Sequence, residues 1–493
     1  MVWLPDHDQM AAQGKEDSVA EALAYFLSLD HGEMNEDVLG AFVTEARQML
    51  SFLTDIEAIK LTMMPDYPDY YEDRPGAKAD GGRSLDNELF DFKSLGEWQD
   101  RVFEHGPSPR MMLRETPLGG GSGVVDPEEL QRRNAEDLRG WGQALVGRLL
   151  KACLDRGIEP VLGCGGYRLC VENGRVTGAI VERDGKQETI TARNGVILAT
   201  GGFEWNDALK HAFLRGPLDA PASPPTNEGD GLKMAMAAGA GLGNMTSAWW
   251  VPTLAIPEAQ WQSGETRNMP VLIERTLPHG IMVNREGKRF CNEAANYSAL
   301  AGAFHAFDPA TYAYPNLPAY LIFDSQYREC YPLSSFMPGT PLPDWVAQAD
   351  SLEQLAAQIG VDATNLTATV DRFNELADQL DDQDFGRGKT DYDRFYGDRS
   401  RDGAAATLGG LTQAPFYAVE IQMGALGTNG GAKTNAQAQI VDVDGEPIAG
   451  LFGAGNVISA PTGSVYAGAG GTLGPALTFG YIAGRAAAQR ANQ

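Results

Sequence analysis

The run GAGNVISAPTGSVYAGAGGTLGPALTFGYIAG near the end of the chain constrains the fold more than any other segment. Glycines at 468, 470, 471 and 474 lead straight into an apolar helical pattern, so the backbone here can come close to a ligand. A helix that begins this way offers unpaired N–H groups and the positive end of its dipole, which suits an electron-rich oxygen or the edge of a pyrimidine. Taken alone, the same run reads equally well as a tight turn that needs glycine for positive φ and close packing.

The remaining chain supplies a frame for that loop. Residues 16–60 carry helical apolar spacing in EDSVAEALAYFLSL and NEDVLGAFVTEARQMLSFL, with acidic residues at both starts, so two successive helices are expected. Between Met64 and Pro117 the period breaks into aromatic, Pro and Gly residues, and the tyrosine density points to an ordered loop. A helix is expected from near Asp126 through WGQALVGRLLKACLDRG, then short strands in PVLGCGGYRLCVE and RVTGAIVERDG. NGVILATGGFEWN reads as a buried parallel strand ending in a Gly-Gly turn. From about Trp250 to Thr428 mixed strands and loops surround one clear helix, NLTATVDRFNELADQL, which marks an inserted domain. The hairpin AQIVDVDGEPIAG and the strand LFGAGN then return to the earlier style.

Composition excludes several function classes. A chain of 493 residues fits two domains better than one core. The formal charge of −27 argues against nucleic acid as a partner, because phosphate binding relies on Lys and Arg to displace counterions. No apolar run approaches the length of a membrane span and no basic-then-apolar start reads as a secretory signal, so a cytoplasmic chain without stable membrane insertion is expected. The five cysteines form no CxxC pair and the six histidines are scattered singly, so no metal site is expected.

Four further motifs change the reading of the C-terminal loop: ATGGF (Ala199 to Phe203), NEGDG (Asn227 to Gly231), LGTNGG (Leu426 to Gly431) and LFGAGN (Leu451 to Asn456). In this order and spacing the chain resembles, over essentially its whole length, the flavoproteins of the fumarate reductase and 3-ketosteroid dehydrogenase superfamily. The resemblance implies FAD as cofactor, held by Ala199, Thr200, Gly201 and Gly202, by Asn227, Gly229 and Asp230, by Gly455 and Asn456, and by Gly471, Thr472 and Leu473. It also implies an α/β fold: a split, Rossmann-like dinucleotide-binding domain over 1–249 and 429–493, interrupted by an α+β catalytic cap over 250–428.

Within that superfamily the chain looks like a 3-ketosteroid 1,2-dehydrogenase at four catalytic positions. Tyr70 sits in YPDY, Tyr297 ends GKRFCNEAANY, and Tyr466 and Gly470 sit in VYAGAG. By resemblance, the Tyr466 hydroxyl and the Gly470 N–H bind the ketone oxygen, Tyr297 takes the proton from the adjacent carbon, and Tyr70 supports Tyr297; Tyr67 and Tyr71 compete with Tyr70 for that role. The chemistry is coherent: two donors on the carbonyl stabilise an enolate, each at ~10²–10³ in rate, and a tyrosine needs a neighbouring donor to act as a base. Trp249, Trp250, Met282 and Phe336 suit a hydrophobic polycyclic substrate and are as easily explained as core. The region from Trp250 to Thr428 has only His279 and His305, which disfavours reduction of a dicarboxylate.

One departure from the superfamily stands out. Related enzymes start with a strand, a GxGxxG turn and a helix that cradle the pyrophosphate, and here the family pattern resumes at VWLP; the only early glycine cluster, LGGGSG at 118–123, follows no strand. An internal Met taken as the start, a partner chain supplying the missing unit, and a relative that has lost flavin are the three expectations left open. The reading is therefore an FAD-dependent dehydrogenase that desaturates a ring ketone next to the carbonyl, with a 3-ketosteroid as substrate and an unspecified electron acceptor. Another alicyclic ketone, and a flavin-free steroid-binding relative or subunit, are the alternatives.

Overall fold

A computed structural model describes residues 1–103 and 109–489. It is mixed α/β and divides into two compact units, one formed by Met1–Leu209, Asn227–Ser247 and Thr428–Gln493, the other by Lys210–Thr226 and Ala248–Gly427. The excursion Lys210–Thr226 clusters with the second unit, where Asn268 Nδ2 donates to the Pro221 carbonyl (3.1 Å) and the Ala222 amide to Ala425 (2.8 Å).

The first unit is built from both chain ends because its core joins them. The short strand Val2–Trp3 pairs with Ser84–Asn87, and the Trp3 ring meets Phe26 edge-on (5.3 Å) and Phe42 (6.3 Å) from the two expected helices, Val19–Leu27 and Glu36–Asp55. The longer of these is capped by Asn35, whose side chain accepts from Asp37 and Val38 N–H (both 3.1 Å), and it packs on the last helix, Leu473–Gln489. Arg485 on that helix forks onto Glu45 (2.8 and 2.9 Å).

Beside this core runs a sheet in the order Gln439–Val441, Pro447–Gly453, Arg175–Arg183, Cys164–Glu172, with Lys186–Thr191 also on Arg175–Arg183. Val196–Leu198 pairs in parallel with Leu451–Gly453, as its apolar run implied. Among the described residues nothing pairs with its other edge, and Ile197 is 39% exposed, so the expected full burial of this strand does not hold. The helix expected from Asp126 is interrupted too. Asp137 and Trp141 adopt positive φ (52° and 55°), Leu138–Arg139 pairs with Phe90–Asp91, and two helices result, Pro127–Ala135 and Trp141–Leu154.

The second unit is an antiparallel sheet ordered Thr266–Pro270, Ala248–Gln260, Phe416–Thr428, Ala319–Asp324, Gly280–Val283. Its strands alternate: Ile281, Val283, Ile322 and Ala418 enter the core shared with helices Leu352–Ile359 and Ala363–Gln379, while Met282, Leu321, Phe323 and Val419 enter the core on the other face. A buried charge network lies against the Phe290–Ser298 segment. Arg289 forks onto Glu293 and contacts Asp382 (2.9 Å), Arg387 pairs with Glu293 (3.3 Å), and Arg275 donates to the Glu293 and Ala295 carbonyls.

Two expectations follow. Gly470 has φ +97°, and a Cβ there would lie 2.6 Å from the Trp3 amide nitrogen, whereas Gly480 in the last helix has open space. Gly470→Ala should therefore destabilise by roughly 2 kcal/mol or more, and Gly480→Ala should be neutral or stabilising by up to about 1 kcal/mol, in denaturant titration. Equal effects would contradict the packing described. Burial disfavours the charged forms of Glu293 and Asp382, but Arg289 outweighs it and holds both below the usual carboxylate range. Their contribution to stability is thus complete above the unfolded value of about 4 and is lost as pH falls through the lower folded values. Asp382→Asn should lower the melting temperature at neutral pH and flatten its decline below about pH 4, and a parallel decline for both proteins would contradict this.

Candidate active site

Two adjacent parallel strands, Val196–Leu198 and Pro447–Gly453, end side by side, and each delivers a turn at its C-terminal end. Open α/β sheets bind ligands beyond such strand ends. The Ala454 amide bonds back to the Leu198 carbonyl (2.9 Å), which fixes the two turns together. The first turn, Ala199 to Gly202, is exposed at Ala199 and Thr200. Gly201 has φ +76°, a Cβ there would lie 2.6 Å from Asn227 Oδ1, and Asn227 Nδ2 donates to Glu204 (2.7 Å). The Gly229 amide donates to the Gly202 carbonyl (3.0 Å), and Gly229, itself at φ 76°, is the N-cap of helix Asp230–Ala237. Asp230 faces solvent and pairs with Lys233 (3.0 Å).

The second turn carries Gly455, at φ +72°, and Asn456, and it packs against the start of helix Leu473–Gln489. Thr472 accepts from the Ala476 amide (3.2 Å), and Leu473 keeps 36% of its surface exposed at the helix start. Gly471 turns the chain just before that start, its amide on the Gly468 carbonyl (3.0 Å), so the twelve positions gather at the ends of two strands and at two helix N-termini. They offer backbone groups, small side chains and an apolar Leu, a donor set suited to the edge and face of a flavin ring. Asn429 is fully buried in the turn after Thr428, whose hydroxyl accepts from the Phe203 amide (3.1 Å), and its Oδ1 has no protein donor among the described residues.

Three of the four expected catalytic positions belong to the first unit and lie together. The Tyr70 and Tyr466 rings are stacked, 5.6 Å apart and 15° from parallel, and both are buried. The Tyr70 amide donates to the Ala467 carbonyl (2.9 Å), so the YPDY loop and the VYAGAG loop are joined through backbone. Gly470 bonds through its carbonyl to the amides of Trp3 (3.2 Å) and Gly474 (3.0 Å), which orients the turn before the helix. Tyr67 is also buried, and Tyr71 is half-buried with its amide on the Tyr25 hydroxyl (3.1 Å).

Tyr297 is buried in the second unit, on the segment anchored by Arg275 and Glu293. Next to it, the Asn296 side chain accepts from the Ser298 amide (2.9 Å) and turns the chain into Ala301–Phe304. Of the residues read as suited to a polycyclic ligand, Trp249, Trp250 and Met282 are core: Trp250 packs edge-on against His305 (4.7 Å), and Met282 is fully buried. Phe336 packs on Trp345 (5.9 Å). Sequence reasoning missed Tyr25, Asp69, Arg83 and Trp3, which lie directly under the VYAGAG loop. Only the close spacing of polar and aromatic residues in YPDYY hinted at them.

Residues 1–473 match the FAD binding domain family. A 3-ketosteroid delta1-dehydrogenase from Sterolibacterium denitrificans, solved in complex with 1,4-androstadiene-3,17-dione, superposes with a TM-score of 0.89 at 33% identity, over 99% of this chain and 91% of that one. The chain is 40% identical to 4-oxocyclohexanecarboxylate 2-dehydrogenase of Sinomonas cyclohexanicum, over 100% of this chain and 86% of the relative. It is 34% identical to 3-oxosteroid 1-dehydrogenase of Mycobacterium tuberculosis, over 98% of this chain and 89% of the relative. The chain belongs to the FAD binding domain family, as an FAD-dependent dehydrogenase of the ketone and steroid dehydrogenase group.

Proposed function

We propose that this enzyme desaturates the bond next to a ring ketone, with Tyr466 and Gly470 as the carbonyl donors. The observation that carries the proposal is the buried Tyr70–Tyr466 stack beside Gly470 at the start of the last helix. A phenol O–H and a backbone N–H at one helix end can converge on a single oxygen. Both strengthen as that oxygen gains enolate charge, so they stabilise the transition state more than the ground state. The helix dipole acts in the same direction.

Tyr297 is assigned the α-proton. Tyr70, whose ring stacks on Tyr466, is assigned as the supporting donor that favours the phenolate of Tyr297. Ala199 to Gly202, Asn227, Gly229, Gly455, Asn456, Gly471, Thr472 and Leu473 are the residues assigned to hold FAD, with Asp230 on the rim of the site. When bound, FAD accepts the second hydrogen, from the β-carbon, together with its bonding electron pair. Excluding water from the stack keeps the enolate from being reprotonated before that transfer.

A 3-ketosteroid oxidised at its 1,2 bond is the first substrate reading, supported by the TM-score of 0.89 with the steroid enzyme. A monocyclic ketone is the second, supported by the 40% identity to the 4-oxocyclohexanecarboxylate enzyme. Assay of the flavin-loaded protein with androst-4-ene-3,17-dione and with 4-oxocyclohexanecarboxylate separates them by the ratio of kcat/KM. Tyr466→Phe and Tyr297→Phe should each lower kcat by roughly 10²-fold or more on the accepted ketone, with the fold intact by circular dichroism. Unchanged rates in both variants would overturn the proposal.

A further inference from the structure

The floor beneath the VYAGAG loop is polar, buried and bonded to backbone. The Tyr25 hydroxyl donates to the Ala467 carbonyl (2.8 Å) and accepts from the Tyr71 amide (3.1 Å), so one oxygen touches both loops that carry the stacked tyrosines. Ser84 Oγ donates to the Ala469 carbonyl (3.0 Å), and the Trp3 amide holds Gly470. Ala467, Ala469 and Gly470, three of four successive loop positions, are thus tied down through their carbonyls.

Tyr25 is held in turn by charge. The Arg83 guanidinium lies 5.8 Å from the Tyr25 ring centre and 5.3 Å from the Trp3 ring centre. It bonds Asp69 (2.8 Å) and forks onto Asp17 (2.5 and 2.9 Å). Asp69 also accepts from the Trp3 indole N–H (2.8 Å) and the Lys78 amide (3.0 Å), next to Tyr70 in sequence. Burial, with the Asp69 charge adding to it, pushes the Tyr25 phenol well above its ordinary value, so it stays a neutral donor throughout the working pH range. A buried cation between two carboxylates adds little stability over an apolar core of the same volume, but it fixes direction.

We infer that Tyr25 is a positioning residue for ring-ketone oxidation, setting the distance between the Tyr70 loop and the Tyr466–Gly470 donor pair through its two backbone bonds. The inference rests on the function proposed above. Tyr25 touches no reacting atom; it acts through the Ala467 carbonyl and the Tyr71 amide. A small misplacement of oxyanion donors costs rate rather than ground-state binding.

The test compares wild-type holoenzyme with Tyr25→Phe, which removes one oxygen and keeps the ring. Four quantities are read: kcat, KM, melting temperature, and affinity for a phenol that imitates the enolate, estradiol for a steroid substrate or 4-hydroxybenzoate for a monocyclic one. The expected result is a fall in kcat of roughly ten- to hundredfold, a KM within about twofold, and a matching loss of phenol affinity. Full flavin loading and a melting temperature within a few degrees should accompany it. A kcat within about twofold of wild type overturns the inference, as does a kcat loss without loss of phenol affinity. Should Tyr25→Phe not fold, Ser84→Ala, which removes the single bond to Ala469, is read by the same criteria. Tyr466→Phe is the control: if it is also silent, the proposed function has failed, and if it alone is impaired, only the role of Tyr25 has.

Discussion

The structure of the first unit depends on the closeness with which the second and third residues of the chain lie under the glycine turn before its last helix. The Trp3 amide bonds the Gly470 carbonyl (3.2 Å), and a Cβ on Gly470 or Gly474 would overlap the Trp3 backbone. Glycine at these positions removes the side-chain layer that normally separates packed elements. Backbone therefore meets backbone, and the turn's direction is set by hydrogen bonds rather than by the packing of side chains. The Trp3 ring then packs on both Phe26 and Phe42, which also meet each other, and this cluster ties the first helices to the same point.

Each unit supports its expected catalytic tyrosines with buried charge. Beneath Tyr70 and Tyr466 it is Arg83 between Asp17 and Asp69; against the Tyr297 segment it is Arg289 and Arg387 with Glu293 and Asp382. Burying ions costs free energy, and these pairs recover it only where every contact is made. Such networks hold a loop in one arrangement, which loops exposed to solvent do not achieve. Side chains that must be held to within a fraction of an ångström need that kind of support.

Much of this was legible in the sequence where one local rule decided the outcome. Helical spacing with acidic starts marked Val19–Leu27 and Glu36–Asp55, and the apolar run before ATGGF marked a parallel strand. Other features depended on contacts far apart in the chain. The break at Leu138–Arg139 is a pairing with Phe90–Asp91, and the Lys210–Thr226 excursion belongs with strands that come later. Tyr70 could be named from YPDY, but its stack with Tyr466 spans almost 400 positions and no periodicity encodes it. Tyr25 lies on a helix whose spacing announces only a buried face, so its bond to Ala467 was invisible until both ends of the chain were folded together.

The central chemical event is the removal of two hydrogens from a ring ketone by this chain with FAD bound. Anaerobic stopped-flow mixing with one equivalent of ketone, followed at the visible flavin band and coupled to mass analysis of the quenched product, tests it in a single turnover. Bleaching of the band at the same rate as formation of a product lighter by two hydrogens is the predicted result. A flavin that stays oxidised with every ring ketone offered, while the protein is folded and fully loaded, would contradict it.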